Sequence, residues 1–211
     1  MRNRLSLWLA PVVLAGTLFL ATPAPTLAAN GLTETGTTTY EVVPDKGLIR
    51  VTIQISLYNG KPDTTTATGT TYYFWKSTEV TVEVEAGAVS ASSNAGAVSQ
   101  VVRKTDKYYR LVELDFPAVY YGQTRVVTVA YTIPAAPHAP GGFRAVAAYA
   151  SLCASGNGYD TGSVSLVIPD GFAINVDSGG DLTKASDAGG KQVYSSGIQS
   201  APYKFWSCLD A

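Results

Sequence analysis

Histidine is almost missing from this 211-residue chain, which holds one, His138. A catalytic zinc takes about three converging His, Glu, Asp or Cys ligands, usually with two histidines among them, so a conventional zinc centre cannot be assembled here. There is no His-Glu-x-x-His run and no Gly-x-Ser-x-Gly elbow, which removes the common metallopeptidase and serine-hydrolase arrangements. Basic clusters are just as scarce. The longest is the pair Arg103 and Lys104, too little to recruit nucleic acid or an anionic membrane. Helical periodicity over eleven or more residues occurs only near the N-terminus. No residue set stands out as catalytic, metal-binding or cofactor-binding, so the chain reads as a non-enzyme.

What is present begins with an address. Arg2 and Arg4 precede the apolar run "LSLWLAPVVLAGTLFLA", and "TPAPTLAAN" supplies small residues at which cleavage fits after Ala28 or Ala29. Residues 1–29 are therefore expected to be a cleaved signal peptide, with no later apolar run long enough to span a bilayer. Residues 30–211 are long enough for one well-buried domain. With Arg2 and Arg4 removed, thirteen basic residues face sixteen acidic ones, a net charge of −3. The two cysteines, Cys153 and Cys208, both lie in this part. In an oxidising, extracellular compartment the economical reading is one disulfide that staples the C-terminal segment to the body.

Period-two patterning recurs throughout. In "LIRVTIQISLYN", Ile49, Val51, Ile53, Ile55 and Leu57 face one way and Arg50, Thr52, Gln54, Ser56 and Tyr58 the other. "TTTYEVV" precedes it across the turn "PDKG". "TTTATGT" and "AVSASSNAGAVSQ" read as loops, as does "DSGGDLTKASDAGG". "EVTVEVEAG", "YYRLVELDF", "TRVVTVAYTI", "FRAVAAYASLC", "SVSLVIP" and "YKFWSC" are strands, and "PAAPHAPGG" is a long irregular loop. About ten short strands with turn signals between them predict an all-β fold, a single antiparallel β-sandwich.

Three groups of side chains invite a chemical reading. Glu83 and Glu85 stand on one face of a strand about 7 Å apart, a spacing that suits paired carboxylates. They alternate with buried valines, so the pattern assigns both to the solvated face. Asp177, Asp181 and Asp187 share a Gly-rich segment but match no calcium-loop spacing. The aromatics are more distinctive. "TTYYFWKSTEV" sets Tyr72 and Phe74 on one side of a strand and Tyr73 and Trp75 on the other, and "YKFWSC" adds Trp206. One pair belongs to a core. The other, for which Tyr73, Trp75 and Trp206 are the candidates, calls for cover by the protein itself, by a partner, or by a ligand such as a surface glycan.

The order of phrases "TTYEVVPDKGLIRVTIQISLYNGKPD", "TTYYFW", "YYGQTRVVTVAYTIP" and "VSLVIPDGFAINV" resembles the N-terminal β-domain of large secreted bacterial proteins. In those proteins the domain precedes a gluzincin-type (aminopeptidase N-like) or transglutaminase-like catalytic domain. The resemblance implies a secreted, non-catalytic scaffold or interaction module whose partner is a catalytic domain or another protein. It carries over no catalytic residue, because the zinc motif of such proteins lies downstream. Two readings stay open: the β-domain of a longer frame, or a stand-alone carbohydrate- or cell-surface-binding module.

Overall fold

A computed structural model describes residues 31–134, 143–146, 149–176 and 182–211. The proposed signal peptide, His138, Asp177 and Asp181 lie outside the described residues. β1 (Leu32–Val43) and β2 (Leu48–Asn59) form a long hairpin across a turn at Pro44–Lys46, where Gly47 takes the left-handed φ of 59° that closes it. β3 (Thr64–Thr66), β4 (Gly69–Thr71), β5 (Phe74–Glu83), β6 (Ser90–Ser93), β7 (Ser99–Thr105), β8 (Tyr109–Tyr120) and β9 (Thr124–Pro134) follow. The last third adds β10 (Arg144–Val146), β11 (Tyr149–Ser155), β12 (Thr161–Pro169), β13 (Asn175–Val176), β14 (Thr183–Ala188), β15 (Lys191–Ser195), β16 (Gln199–Ser200) and β17 (Trp206–Asp210). Eleven of these strands are five residues or longer, so the all-β expectation holds.

Strands β14-β15-β12-β1-β2-β9-β6 make the large sheet, with β16 also on β12. β5-β8-β7 and β10-β11-β17-β13 make two smaller ones, and β3-β4 is an exposed hairpin. The alternation read in β2 is real: Ile49, Val51, Ile53, Ile55 and Leu57 are all fully buried. They join Val127, Val129 and Ile133 of β9 in a core closed by Val80, Val82, Val112 and Leu114 of the β5-β8 ladder. Pairing is antiparallel with one exception among the described residues: β1 runs parallel to β12, Thr35 to Glu41 against Thr161 to Val167.

Three segments read as loops contain strands: β3 and most of β4 in "TTTATGT", β6 as "SASS" and β14 as "TKASDA". Each is short and outlying, β3, β4 and β6 built of Thr, Ser, Ala and Gly and β14 adding Lys184 and Asp187, and each is held by backbone pairing with a neighbour rather than by an apolar face.

Glycine governs how the third sheet meets the first. Gly36 of β1 and Gly162 of β12 are register partners, and residues Asn157 and Gly158 lie directly across them. A Cβ on Gly36 would stand 1.9 Å from the carbonyl oxygen of Asn157. That close approach lets the buried Asn157 reach β5, where its Oδ1 accepts the Thr81 N–H at 2.8 Å and its Nδ2 donates to the Thr81 carbonyl. A side chain thus stands in for a neighbouring strand at an edge that β8 leaves open.

Candidate functional site

The aromatic stretch is anchored by Asn59, which is fully buried and donates from Nδ2 to the carbonyls of Tyr73 and Val119. A bulge between Trp75 and Ser77 then interrupts the pairing of β5 with β8. Tyr72 and Phe74 are the exposed pair, at 63% and 50%. Tyr73 and Trp75 are half-buried, Tyr73 under the ammonium of Lys61 and Trp75 against the core. The Phe74 ring meets Tyr120 at 5.7 Å, and Tyr120 and Tyr121 are exposed beside it. Four exposed rings thus lie at one end of the β5-β8 ladder, with Phe74 and Tyr120 in contact and Tyr72 and Tyr121 flanking them in sequence.

A second aromatic feature is a lane. Trp75 and Tyr159 line a cleft of about 240 Å³ together with Glu34, Thr78 and Asp160. The Tyr159 ring stacks on Tyr203, with centroids 5.4 Å apart and planes 14° from parallel. Tyr203 and Trp206 in turn wall a cleft of about 370 Å³ with Tyr109, and Trp206 meets Tyr109 edge-on at 5.9 Å. Five rings therefore run from one cleft to the other. Tyr159 is 68% exposed and Trp206 49%. The turn that presents Tyr203 starts at Ala201, whose φ of 52° is the only left-handed value at a described non-glycine residue. It rests on Gly156, where a Cβ would stand 2.2 Å from the carbonyl oxygen of Pro202.

Beneath the larger cleft lies a polar cluster that the strand pattern misplaces. Glu83 is 1% exposed and not on a solvated face. Tyr40 donates its hydroxyl to Glu83 Oε1 at 2.6 Å, and Tyr131 donates to Oε2 at 2.5 Å. The Tyr40 oxygen also accepts the Ser155 N–H at 3.2 Å, and Ser155 lines the cleft. Alternation tells which way Glu83 points but not what stands opposite; here two core-facing tyrosines do. Those tyrosines were the available signal, since a buried phenol requires an acceptor. Burial raises the Glu83 carboxyl above its ordinary value, and the two phenol hydrogen bonds oppose that. Burial first, and then the Glu83 charge, pushes both phenols well up. Glu85 is half-buried and does not complete an exposed carboxylate pair.

At the rim of the larger cleft stand Lys104, Lys204 and Asp106. Asp106 Oδ1 accepts the N–H groups of Tyr108 and Tyr109, which hold its carboxyl below the ordinary range. In the smaller cleft, burial raises Glu34, whose Oε2 accepts the Thr78 hydroxyl at 2.8 Å. Asp160 Oδ2 accepts the Glu34 N–H at 2.7 Å. Cys153 and Cys208 face each other across β11 and β17 and form a disulfide, with Cα atoms 3.9 Å apart. Among the described residues no group of three or more His, Cys, Asp or Glu is placed to hold a metal ion.

No protein-family model matches the sequence, and no curated protein matches it. Solved structures similar to this chain include an M1 zinc metallopeptidase from Deinococcus radiodurans, at 14% identity and a TM-score of 0.43 over 89% of this chain and 44% of the other. The same peptidase bound to a Tyr-Ser-Ala substrate gives 14% and 0.44 over the same shares. Yeast LTA4 hydrolase in complex with bestatin gives 6% and 0.47, over 86% of this chain and 29% of the other. The chain thus spans less than half the length of each.

Proposed function

We propose that this chain is a secreted, non-catalytic β-domain that serves as an interaction module, the N-terminal part of a larger peptidase-like protein. The observation that carries this reading is the patch of Tyr72, Phe74, Tyr120 and Tyr121 at one end of the β5-β8 ladder. Four large rings left in water at one place cost apolar hydration that a companion domain or partner protein would remove. The sequence resemblance names the kind of companion. Reading the frame beyond Ala211 and comparing hydroxyl-radical footprints tests it. Tyr72, Phe74 and Tyr120 are expected to be oxidised in residues 30–211 alone and protected in the product of the longer frame. A stop codon directly after Ala211, or equal oxidation in both proteins, sinks the proposal.

A second reading is favoured by a separate observation. The lane from Trp75 to Trp206 joins two clefts through the exposed rings of Tyr159, Tyr203 and Trp206, the form of a ligand platform. On this reading the domain binds a carbohydrate of a cell surface.

A further inference from the structure

We infer that the lane binds an extended, acidic oligosaccharide, with its carboxylate-bearing sugar at the Lys104 and Lys204 end and neutral sugars at the Trp75 end. The inference rests on the second reading, that the lane is a ligand platform, and adds the class and direction of the ligand.

Size argues for an extended chain. Small-molecule clefts run from about 300 to 1,000 Å³. The larger cleft, at about 370 Å³, falls within that range, whereas the other, at about 240 Å³, falls below it. The smaller cleft therefore makes sense as an outlying subsite of something already seated in the larger one. The stacked Tyr159 and Tyr203 bridge the two, Tyr159 lining the smaller cleft and Tyr203 the larger. Pyranose rings carry apolar C–H faces that settle on such rings, and a chain of them repeats the contact.

Charge sets the direction. The domain has more acidic than basic residues, yet two of the three charged side chains lining the larger cleft are lysines. The third, Asp106, already has one oxygen engaged by two backbone N–H groups. A sugar carboxylate is thus attracted here. At the far end Glu34 and Asp160 would repel a second carboxylate but accept hydroxyl groups, as carboxylates in sugar sites do through their remaining lone pairs. Thr81 at one end and Ser77 at the other add hydroxyls suited to the same kind of ligand.

The test titrates the oxidised chain with oligogalacturonate, oligoalginate and hyaluronan oligosaccharides, with neutral cello- and xylo-oligosaccharides, and with a glutamate-rich peptide, following tryptophan fluorescence and calorimetry. At least one acidic oligosaccharide is expected to bind, about tenfold more weakly in Trp206→Ala and in the double variant Lys104→Gln/Lys204→Gln. Tyr159→Ala guards against a folding artefact, because that ring is on the surface, and it should weaken binding of longer chains more than of disaccharides. Binding of neutral sugars alone, or acidic binding indifferent to the lysine changes, overturns the assignment of charge and leaves the platform reading standing. Equal binding of the acidic peptide overturns the saccharide assignment. Binding of none of the probes overturns both the inference and the reading it rests on.

Discussion

Glu83 accepts two phenol hydroxyls in the middle of the sandwich, and its substitution reads out the electrostatics of the core. Its carboxyl titrates above the ordinary value when folded, because burial disfavours the charge. The stabilisation that goes with proton binding is therefore complete below the unfolded value of 4.5 and is lost as pH rises through the folded one. Glu34 has the same sign. Glu83→Gln keeps one acceptor and offers an amide to the other phenol, so it should fold. Its urea midpoint is expected to fall less between pH 4.5 and 7 than the parent's, and equal slopes would refute the assignment. Glu83→Ala deprives the Tyr40 and Tyr131 hydroxyls of this acceptor and should cost about 1–3 kcal/mol for each left unsatisfied, measured by denaturant unfolding.

At the scale of elements, the loop carrying Asn157 decides how the β5 edge is closed. Asn157→Ala removes the acceptor for the Thr81 N–H, which should then exchange with deuterium markedly faster than in the parent. Gly36→Ala should act through the same contact, since its Cβ would collide with the Asn157 carbonyl; a loss of about 1–3 kcal/mol is expected in a thermal melt. Long strands such as β2 were legible because one face is uniformly apolar and the other polar. β3, β4, β6 and β14 were not, because Thr, Ser and Gly serve turns and outlying strands alike. Trp75 and Trp206 could be picked out as aromatics worth explaining. Their connection could not, because Tyr159 and Tyr203 sit in irregular segments whose meeting depends on Gly156 and Ala201 rather than on any periodicity.

The whole molecule is tied at its C-terminal end by Cys153 and Cys208, which span 55 residues. Reduction should destabilise the domain by about 4 kcal/mol in the chain-entropy account, measured as a shift in unfolding midpoint with and without dithiothreitol. Because β17 carries Trp206, the same treatment should raise exchange across residues 206–210 and impair the larger cleft. The parallel pairing of β1 with β12 bears on how the molecule is made. Thr35 finds its partner Thr161 only 126 residues later. At synthesis rates of about 5–20 residues per second, β1 waits roughly 6–25 s with one side unmatched. An early β1-β2 hairpin would offer that side to any extended chain nearby, so assembly in the order of synthesis favours a holding factor or late, whole-domain collapse.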